Sequence, residues 1–587
     1  MKIRTTLSNL KLLFISVLSI VCLVGCDGIS FFGKGSHATA STPIIEVQPV
    51  SANYIQGNMV IPLELTASVN DGGVISYQWY SNTINSNENG SIIPGETNSS
   101  YAPPILVAGT IYYYVVITNT NDNIRGESTA SITSDVVSIT VDTLSVSFYD
   151  ENLNLLAKYD NLSSGHEVEL NSNKTAYGIT DWYIASNDTT VDLYTLTDKN
   201  VNFYALSNVT EITTQADLAS IATTLAGKYI LLNDIELDEN GAGFEDTLGW
   251  IPIGNQYFSS GFTGIFNGNY HKITNLWINR TSEDAGAGLF GSVYNATISN
   301  LGVEIAKGKE LEGTRYVGGI VGWVSNSNIT NVYSTGDISG NRMCIGGIAG
   351  WIEQSNISNV YSTGNISGGR DSSNLSNLDV GGIVGWIEKS NMSNVYSTGN
   401  ISGIDYVGGI AGWIEKSNIT NTYSTGDISG EKFVGGIAGC INNGEISDLC
   451  LMENINDSNA VTEDTDNLSN VLNNVAINSL VIGDDLVNRA VGSTIGTNII
   501  SNNFALDSMK GGVGYDGVTN NFTNVGNTTY HGTDKTLEQL KTKETYSDAI
   551  NGDGLGGLGW QFGDNDTAPW KIDSNKNNGY PYFYWQD

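Results

Sequence analysis

The chain is 587 residues long, which at about 150 residues per domain asks for roughly four domains unless a repeat array lengthens one of them. Its 61 acidic against 26 basic residues give a formal charge of -35, a field that repels phosphate backbones and argues against nucleic acid as a partner. Charged residues are only 15% of the chain and apolar ones 40%, too apolar for an acidic disordered polymer; with 68 Gly, 29 Tyr and 11 Trp the composition suits strands and turns, and the expected fold class is all-β.

At the N-terminus Lys2, Arg4 and Lys11 precede an apolar run over residues 12–24, short for a bilayer span and right for a signal-peptide core. The run ends Leu23-Val24-Gly25-Cys26, which resembles a bacterial lipobox. That resemblance implies a lipoprotein signal peptide over residues 1–25 and a lipid on the Cys26 thiol, so the membrane is a partner only through that anchor. Losing residues 1–25 removes three basic residues and no acid, which takes the charge from -35 to -38. Asp27 resembles the inner-membrane retention signal of enteric bacteria; elsewhere the same anchor implies the outer membrane or cell surface. Residues 26–42, rich in Gly, Ser, Thr and Ala, read as a tether.

Residues 43–142 alternate apolar and polar side chains between turn clusters, notably at Ser76-Tyr-Gln-Trp79-Tyr80 and Thr110-Ile-Tyr-Tyr-Tyr-Val115-Val116. Short strands at such spacing predict a sandwich. The pattern resembles bacterial immunoglobulin-like modules without the cysteine pair, and implies that Trp79 packs on Val115 or Val116. Residues 143–205 open with Val146-Ser-Phe148-Tyr149 and close with Trp182-Tyr183 and Val201-Asn-Phe203-Tyr204. This layout is similar to the small β-grasp-like repeat of internalins and other Listeria and Bacteroides surface proteins. Both modules imply spacers rather than chemistry.

The remainder, residues 206–587, is dominated by one motif: Val317-Gly-Gly-Ile-Val-Gly-Trp323, Ile345-Gly-Gly-Ile-Ala-Gly-Trp351, Val380-Gly-Gly-Ile-Val-Gly-Trp386 and Val407-Gly-Gly-Ile-Ala-Gly-Trp413. Together with Val434, the starts lie 28, 35, 27 and 27 residues apart, and only residues 369–379 disturb the period, as a loop would. Such a period marks a solenoid, and β-branched runs broken by Gly make each unit one coil of a parallel β-helix. Equivalent residues then stack about 4.8 Å apart. Asn328, Asn356, Asn391 and Asn418 form one predicted ladder, and Asn331, Asn359, Asn394 and Asn421 another, each amide donating to one neighbour and accepting from the other. The pattern over residues 317–451 closely resembles the GLUG-motif repeat of bacterial surface proteins and adhesins, with degenerate coils on either side.

An open solenoid end exposes strand edges and needs covering. Thr214-x-x-Asp217 before Leu218 and Ile221 predicts a capped helix over the first coil, and Thr536-x-x-Gln539 predicts a second short helix. The aromatic tail, with Trp560, Trp570 and Tyr580-Pro-Tyr-Phe-Tyr-Trp585, is expected as a C-terminal cap, with a sugar cradle as the alternative.

Candidate chemistry lies on the Gly-Trp strand. If that strand stays extended, Val321, Trp323 and Ser325 share a face, as do Ala349, Trp351 and Glu353, Val384, Trp386 and Glu388, and Ala411, Trp413 and Glu415. Glutamate is seldom buried unpaired, so this parity predicts an outer stripe of Trp beside Glu. Rings stack on sugars and carboxylates accept hydroxyls, which makes a glycan or a host or matrix surface the expected partner. Calcium bridging the Glu row is a lesser alternative, and otherwise no cofactor or metal is expected. A carboxylate row could also serve a polysaccharide lyase or hydrolase, but a repeated template lacks the asymmetry that catalysis needs, so no catalytic residue is assigned. The four histidines have no metal spacing. Cys440 stands at the Trp position and Cys450 at the position of Tyr333, Tyr361, Tyr396 and Tyr423, a double replacement that predicts a disulfide in an oxidising envelope. Cys344 is expected as a buried thiol. The function these readings support is a non-enzymatic, lipid-anchored adhesin or surface-binding scaffold, with a purely structural envelope role as the blander option.

Overall fold

The computed structural model describes residues 39–185, 190–254, 261–281, 286–369, 378–442 and most of 470–513, 533–547 and 560–586. It divides into two compact units, residues 1–143 and 144–587. In the first, strand Val74–Asn82 pairs antiparallel with Gly109–Thr120, which also pairs with Val137–Asp142 and Thr129–Thr133. Trp79 sits opposite Val115, and both are fully buried with Leu63, Leu65 and Ile139. Strand alternation sends Val116 to the other face, so Val115 is the packing partner. The indole Nε1 donates to the Asn98 carbonyl at 2.9 Å, so burying it costs no hydrogen bond.

The second unit opens with a four-stranded sheet whose order is Leu155–Leu162, Leu144–Tyr149, Val201–Tyr204 and Tyr183–Ile184. Phe148 is buried in it, with Trp182 at 5.1 Å and Phe203 at 5.3 Å. This sheet docks on the solenoid: Tyr149, Leu153 and Tyr204 share a core with Val209 and Ile230. The predicted cap follows as helix Gln215–Ser220, where the Asp217 N–H donates to Thr214 Oγ1 at 3.1 Å and the Thr214 N–H to Asp217 Oδ2 at 2.9 Å. Leu218 and Ile221 are thereby pressed into the core of the first coils.

From there the chain winds as a parallel β-helix with four faces, seen in one coil as Tyr316–Gly318, Val321–Ser325, Asn328–Thr335 and Ile338–Gly340. Among the described residues the four stacked sheets hold 7, 7, 15 and 10 strands respectively. Val321, Val324, Ile329, Val332, Ile338 and Val317 point inward from all four faces and are almost wholly buried. The motif's second glycine is forced by this interior: a Cβ at Gly382 would lie 2.2 Å from the Gly409 carbonyl and 2.4 Å from Ser397 Oγ.

Both asparagine ladders are present. On the outer one, Nδ2 of Asn356, Asn391 and Asn418 donates to the preceding Oδ1 at 3.1, 3.1 and 2.8 Å. The inner one is buried and longer, because Asn331 donates to Asn300 at 2.9 Å and Asn300 to Asn267 at 3.2 Å. Asn359, Asn394 and Asn421 continue it at 3.0, 3.1 and 3.2 Å. These residues adopt φ of 53 to 57°, the left-handed region that asparagine tolerates better than other side chains, so they turn the chain and bond the coils at once.

One expectation needs correction. The aromatic tail does not close the end of the solenoid; it lies along its flank. Tyr333, Tyr361, Tyr396 and Tyr423 stack at 5.0, 4.9 and 4.8 Å, and on them rest Trp585 (5.6 Å from Tyr361), Phe583 (5.5 Å from Tyr396) and Trp570 (6.1 Å from Tyr423). Four tyrosine rings in a column form an apolar surface that only another aromatic segment covers well, and the Tyr423 hydroxyl secures it by donating to the Pro581 carbonyl at 2.7 Å.

Candidate functional site

The Gly-Trp strands Val321–Ser325, Ala349–Glu353, Val384–Glu388 and Ala411–Glu415 stack in parallel with every equivalent residue in register: Trp323 on Trp351, Trp351 on Trp386, Trp386 on Trp413, and Glu353 on Glu388 on Glu415. Successive indole centroids are 6.3, 5.3 and 6.0 Å apart, the middle pair within 22° of parallel. The row is therefore a continuous aromatic column.

Its exposure differs from the simple parity expectation. Val321, Ala349, Val384 and Ala411 are fully buried although they precede the outward tryptophans by two residues. The alternation slips at the intervening glycine, which faces backbone rather than core or water: a Cβ at Gly350 would lie 2.5 Å from the Val317 nitrogen and 2.7 Å from the Tyr316 carbonyl carbon. Trp323, Trp351 and Trp386 are half-buried and Trp413 is only 9% exposed.

The tryptophans sink because a second column stands beside them, made of the residues two places before each Gly-Gly: Tyr316, Cys344, Asp379, Tyr406 and Phe433. Tyr316 packs on Trp351 at 5.5 Å, and Tyr406 meets Trp413 edge-on at 4.9 Å. Cys344 is the buried thiol expected, and its Sγ donates to Asp379 Oδ2 at 3.7 Å. Burial pushes the Asp379 carboxyl well above the usual carboxylate range, reinforced by Asp405 and opposed by the thiol. Repeat comparison misses this column because its members share no chemistry; the signal is only their fixed place before the motif.

The glutamates are half-buried at the edge of the tryptophan row. Burial raises the pKa of Glu353, with repulsion from Glu388 adding to it and Lys389 opposing it; Glu415 is raised by burial and by Glu388, against the Trp413 indole and Lys416. Glu388, between them, is held by the Lys389 ammonium at 2.8 Å. Among the described residues no three His, Cys, Asp or Glu side chains gather as a metal would need. Cys440 stacks on Trp413 as the alignment requires and is buried against Tyr406. Cys450 and Cys26 lie outside the described residues.

The surface so built, a column of indoles edged by carboxylates and repeated at each coil, belongs to the class of repeat-built parallel β-helix proteins. Within it, residues 313–339 and 341–367 match the family described as the GLUG motif, so the chain carries GLUG repeats. A curated relative is Halomucin of Haloquadratum walsbyi (strain DSM 16790 / HBSQ001), 36% identical over 142 residues that cover 22% of this chain and 1% of that protein. Among solved structures an IgA1 Protease chain is similar at 16% identity and a TM-score of 0.35, covering 79% of this chain and 30% of that one.

Proposed function

We propose that the chain is a lipid-anchored, non-enzymatic scaffold of the bacterial cell surface, whose β-helix binds glycan or matrix through the Trp323, Trp351, Trp386 and Trp413 column and its Glu353, Glu388 and Glu415 edge. In this reading Cys26 carries the lipid, and the two small β units, one immunoglobulin-like and one internalin-repeat-like, are spacers that hold the solenoid off the membrane. The observation that carries it is the in-register stacking of the indoles at 5.3 to 6.3 Å, which offers the same half-open aromatic edge at Trp323, Trp351 and Trp386, with Trp413 closing the column. Repetition supports binding over catalysis, since each weak contact adds to the avidity for a repeating polymer. The GLUG repeats shared with surface proteins, and the relationship to Halomucin, support the cell-surface placement.

Attachment of whole cells to immobilised polysaccharide and matrix coats tests the reading. Trp386→Ala and Glu388→Gln should each weaken attachment only a few-fold, since equivalent coils remain. Release of soluble sugar from the coat by the purified chain, lost in Glu388→Gln, would instead make the protein a lyase or hydrolase.

A further inference from the structure

The tyrosine column stops at Tyr333, because its partner in the preceding coil is Gly302. A Cβ there would lie 2.3 Å from Tyr333 Cζ, so glycine is what lets the last ring settle over the backbone. Above this end of the column hangs Trp585 of the tail, 6.3 Å from Tyr333 and 20° from parallel to it. Across from it stands Tyr270, 55% exposed, its hydroxyl 3.5 Å from that of Tyr584. Between them is an open cleft of about 310 Å³, walled by Tyr270, Tyr333, Tyr361, Trp585 and Gln586 and floored by the ladder amides.

The polar groups around this cleft define what it can hold. The ladder amides are spent: Asn331 Nδ2 donates to Asn300 at 2.9 Å and to Asp566 Oδ1 at 3.1 Å, while Asn300 Nδ2 donates to Asn154 and Asn267, both at 3.2 Å. Capacity remains mainly on acceptors, the phenolic oxygens of Tyr270 and Tyr333 in the wall and, bonded to the lining Asn331, the carboxylate of Asp566, whose Oδ1 already takes the Tyr584 hydroxyl at 2.8 Å. Glu304, bonded to Lys272 at 3.0 Å, interacts with the Tyr333 hydroxyl on the far side. A lining of aromatic faces and acceptors asks for a ligand with an apolar ring face and many donors, and the two carboxylates repel an anion. The volume is at the lower end of ligand pockets, roughly 300–1,000 Å³, and suits one ring.

We propose that this cleft is a binding site for a single neutral pyranose, seated between Trp585 and Tyr270 with its hydroxyls donating to the phenols and to Asp566. It is separate from the tryptophan face and does not rest on the function proposed for that face. Because one wall is the tail, the site exists only when residues 560–586 are laid along the flank.

The test uses the chain without its leader, titrated with methyl β-glucoside, methyl β-galactoside and methyl N-acetyl-β-glucosaminide, with glucuronate as the anionic control. Binding is read by saturation-transfer NMR and tryptophan fluorescence. At least one neutral glycoside should bind with a Kd on the order of 1 mM, as expected for one small ring. Glucuronate should bind at least about tenfold more weakly, and Tyr270→Ala, at an exposed position, should cost about tenfold or more in affinity without changing thermal unfolding. Trp386→Ala should leave this binding intact. Absence of saturable binding for all three glycosides, equal binding of glucuronate, or an unaffected Tyr270→Ala would overturn the proposal. Loss of binding in Trp386→Ala would place the sugar on the tryptophan column, so that the cleft proposal fails while the earlier reading stands.

Discussion

The inner asparagine ladder gives the sharpest energetic prediction. Asn359 is 2% exposed, donates to Asn331 at 3.0 Å and accepts from Asn394 at 3.1 Å, with φ at 57°. Replacing it with Ala strands an acceptor on one coil and a donor on the next, at about 1–3 kcal/mol each. The left-handed backbone, now without a helpful side chain, adds about 1 kcal/mol, for a loss of about 3–7 kcal/mol. Asn356 has the same ladder geometry but faces water, which replaces its lost partners, so Asn356→Ala should cost within about 0.5 kcal/mol. Asn359→Gly should recover about 1 kcal/mol of the Ala loss, because glycine relieves the backbone but restores no hydrogen bond. Urea unfolding of the full chain, followed by tryptophan fluorescence, measures all three. Equal losses for Asn356→Ala and Asn359→Ala would refute the reasoning, since burial would then not decide what the ladder is worth.

The Asp379 carboxyl holds its proton to higher pH when folded than when unfolded, where its ordinary value is 3.8, so stability falls as pH rises from that value through the folded one. Asp379→Asn removes this penalty, so the wild type should gain stability relative to the variant as pH falls from 7 towards the unfolded carboxylate range, as read by denaturant titration at several pH values; a difference that does not change with pH would contradict the raised carboxyl. Glu353→Gln with Glu415→Gln should flatten the gain in Tm expected as pH is lowered from 7 towards the unfolded carboxylate range, because both carboxyls hold a proton to higher pH when folded; superimposable pH profiles would count against it. If Cys26 carries lipid as proposed, thiol titration of the denatured protein should find one reactive thiol, Cys344, with Cys440 and Cys450 joined; three would refute the disulfide. Labelled fatty acid should enter the wild-type protein and not Cys26→Ala, and label retained by the variant would remove Cys26 as the anchor point.

Much of the solenoid was legible because its positions repeat. Asn331 through Asn421 recur as identical residues at the same place in each unit, and one column of amides in register is the low-energy way to bury them. The tryptophan row was legible for the same reason, but its depth was not. Whether Val321 and Trp323 share a side turns on how closely Gly322 meets neighbouring backbone, a contact no strand alternation encodes. The column beside it escaped notice because Tyr316, Cys344, Asp379, Tyr406 and Phe433 fill one place with unlike side chains. The tail was read as aromatic cover, yet its seat depends on contacts 158 and 190 residues apart, Tyr423 to Pro581 and Tyr396 to Gln586. The cleft at Tyr270 follows from that seat and from the one coil where Gly302 breaks the tyrosine column.

The most direct test of the tryptophan face is a glycan and matrix-protein array probed with the leaderless chain and with Trp386→Ala, after circular dichroism shows the same fold. The account predicts that the wild type holds repeating polymers far better than their short fragments, and that the variant keeps the same ligands at several-fold lower avidity. No retained polymer, or an unchanged binding pattern in the variant, would contradict it.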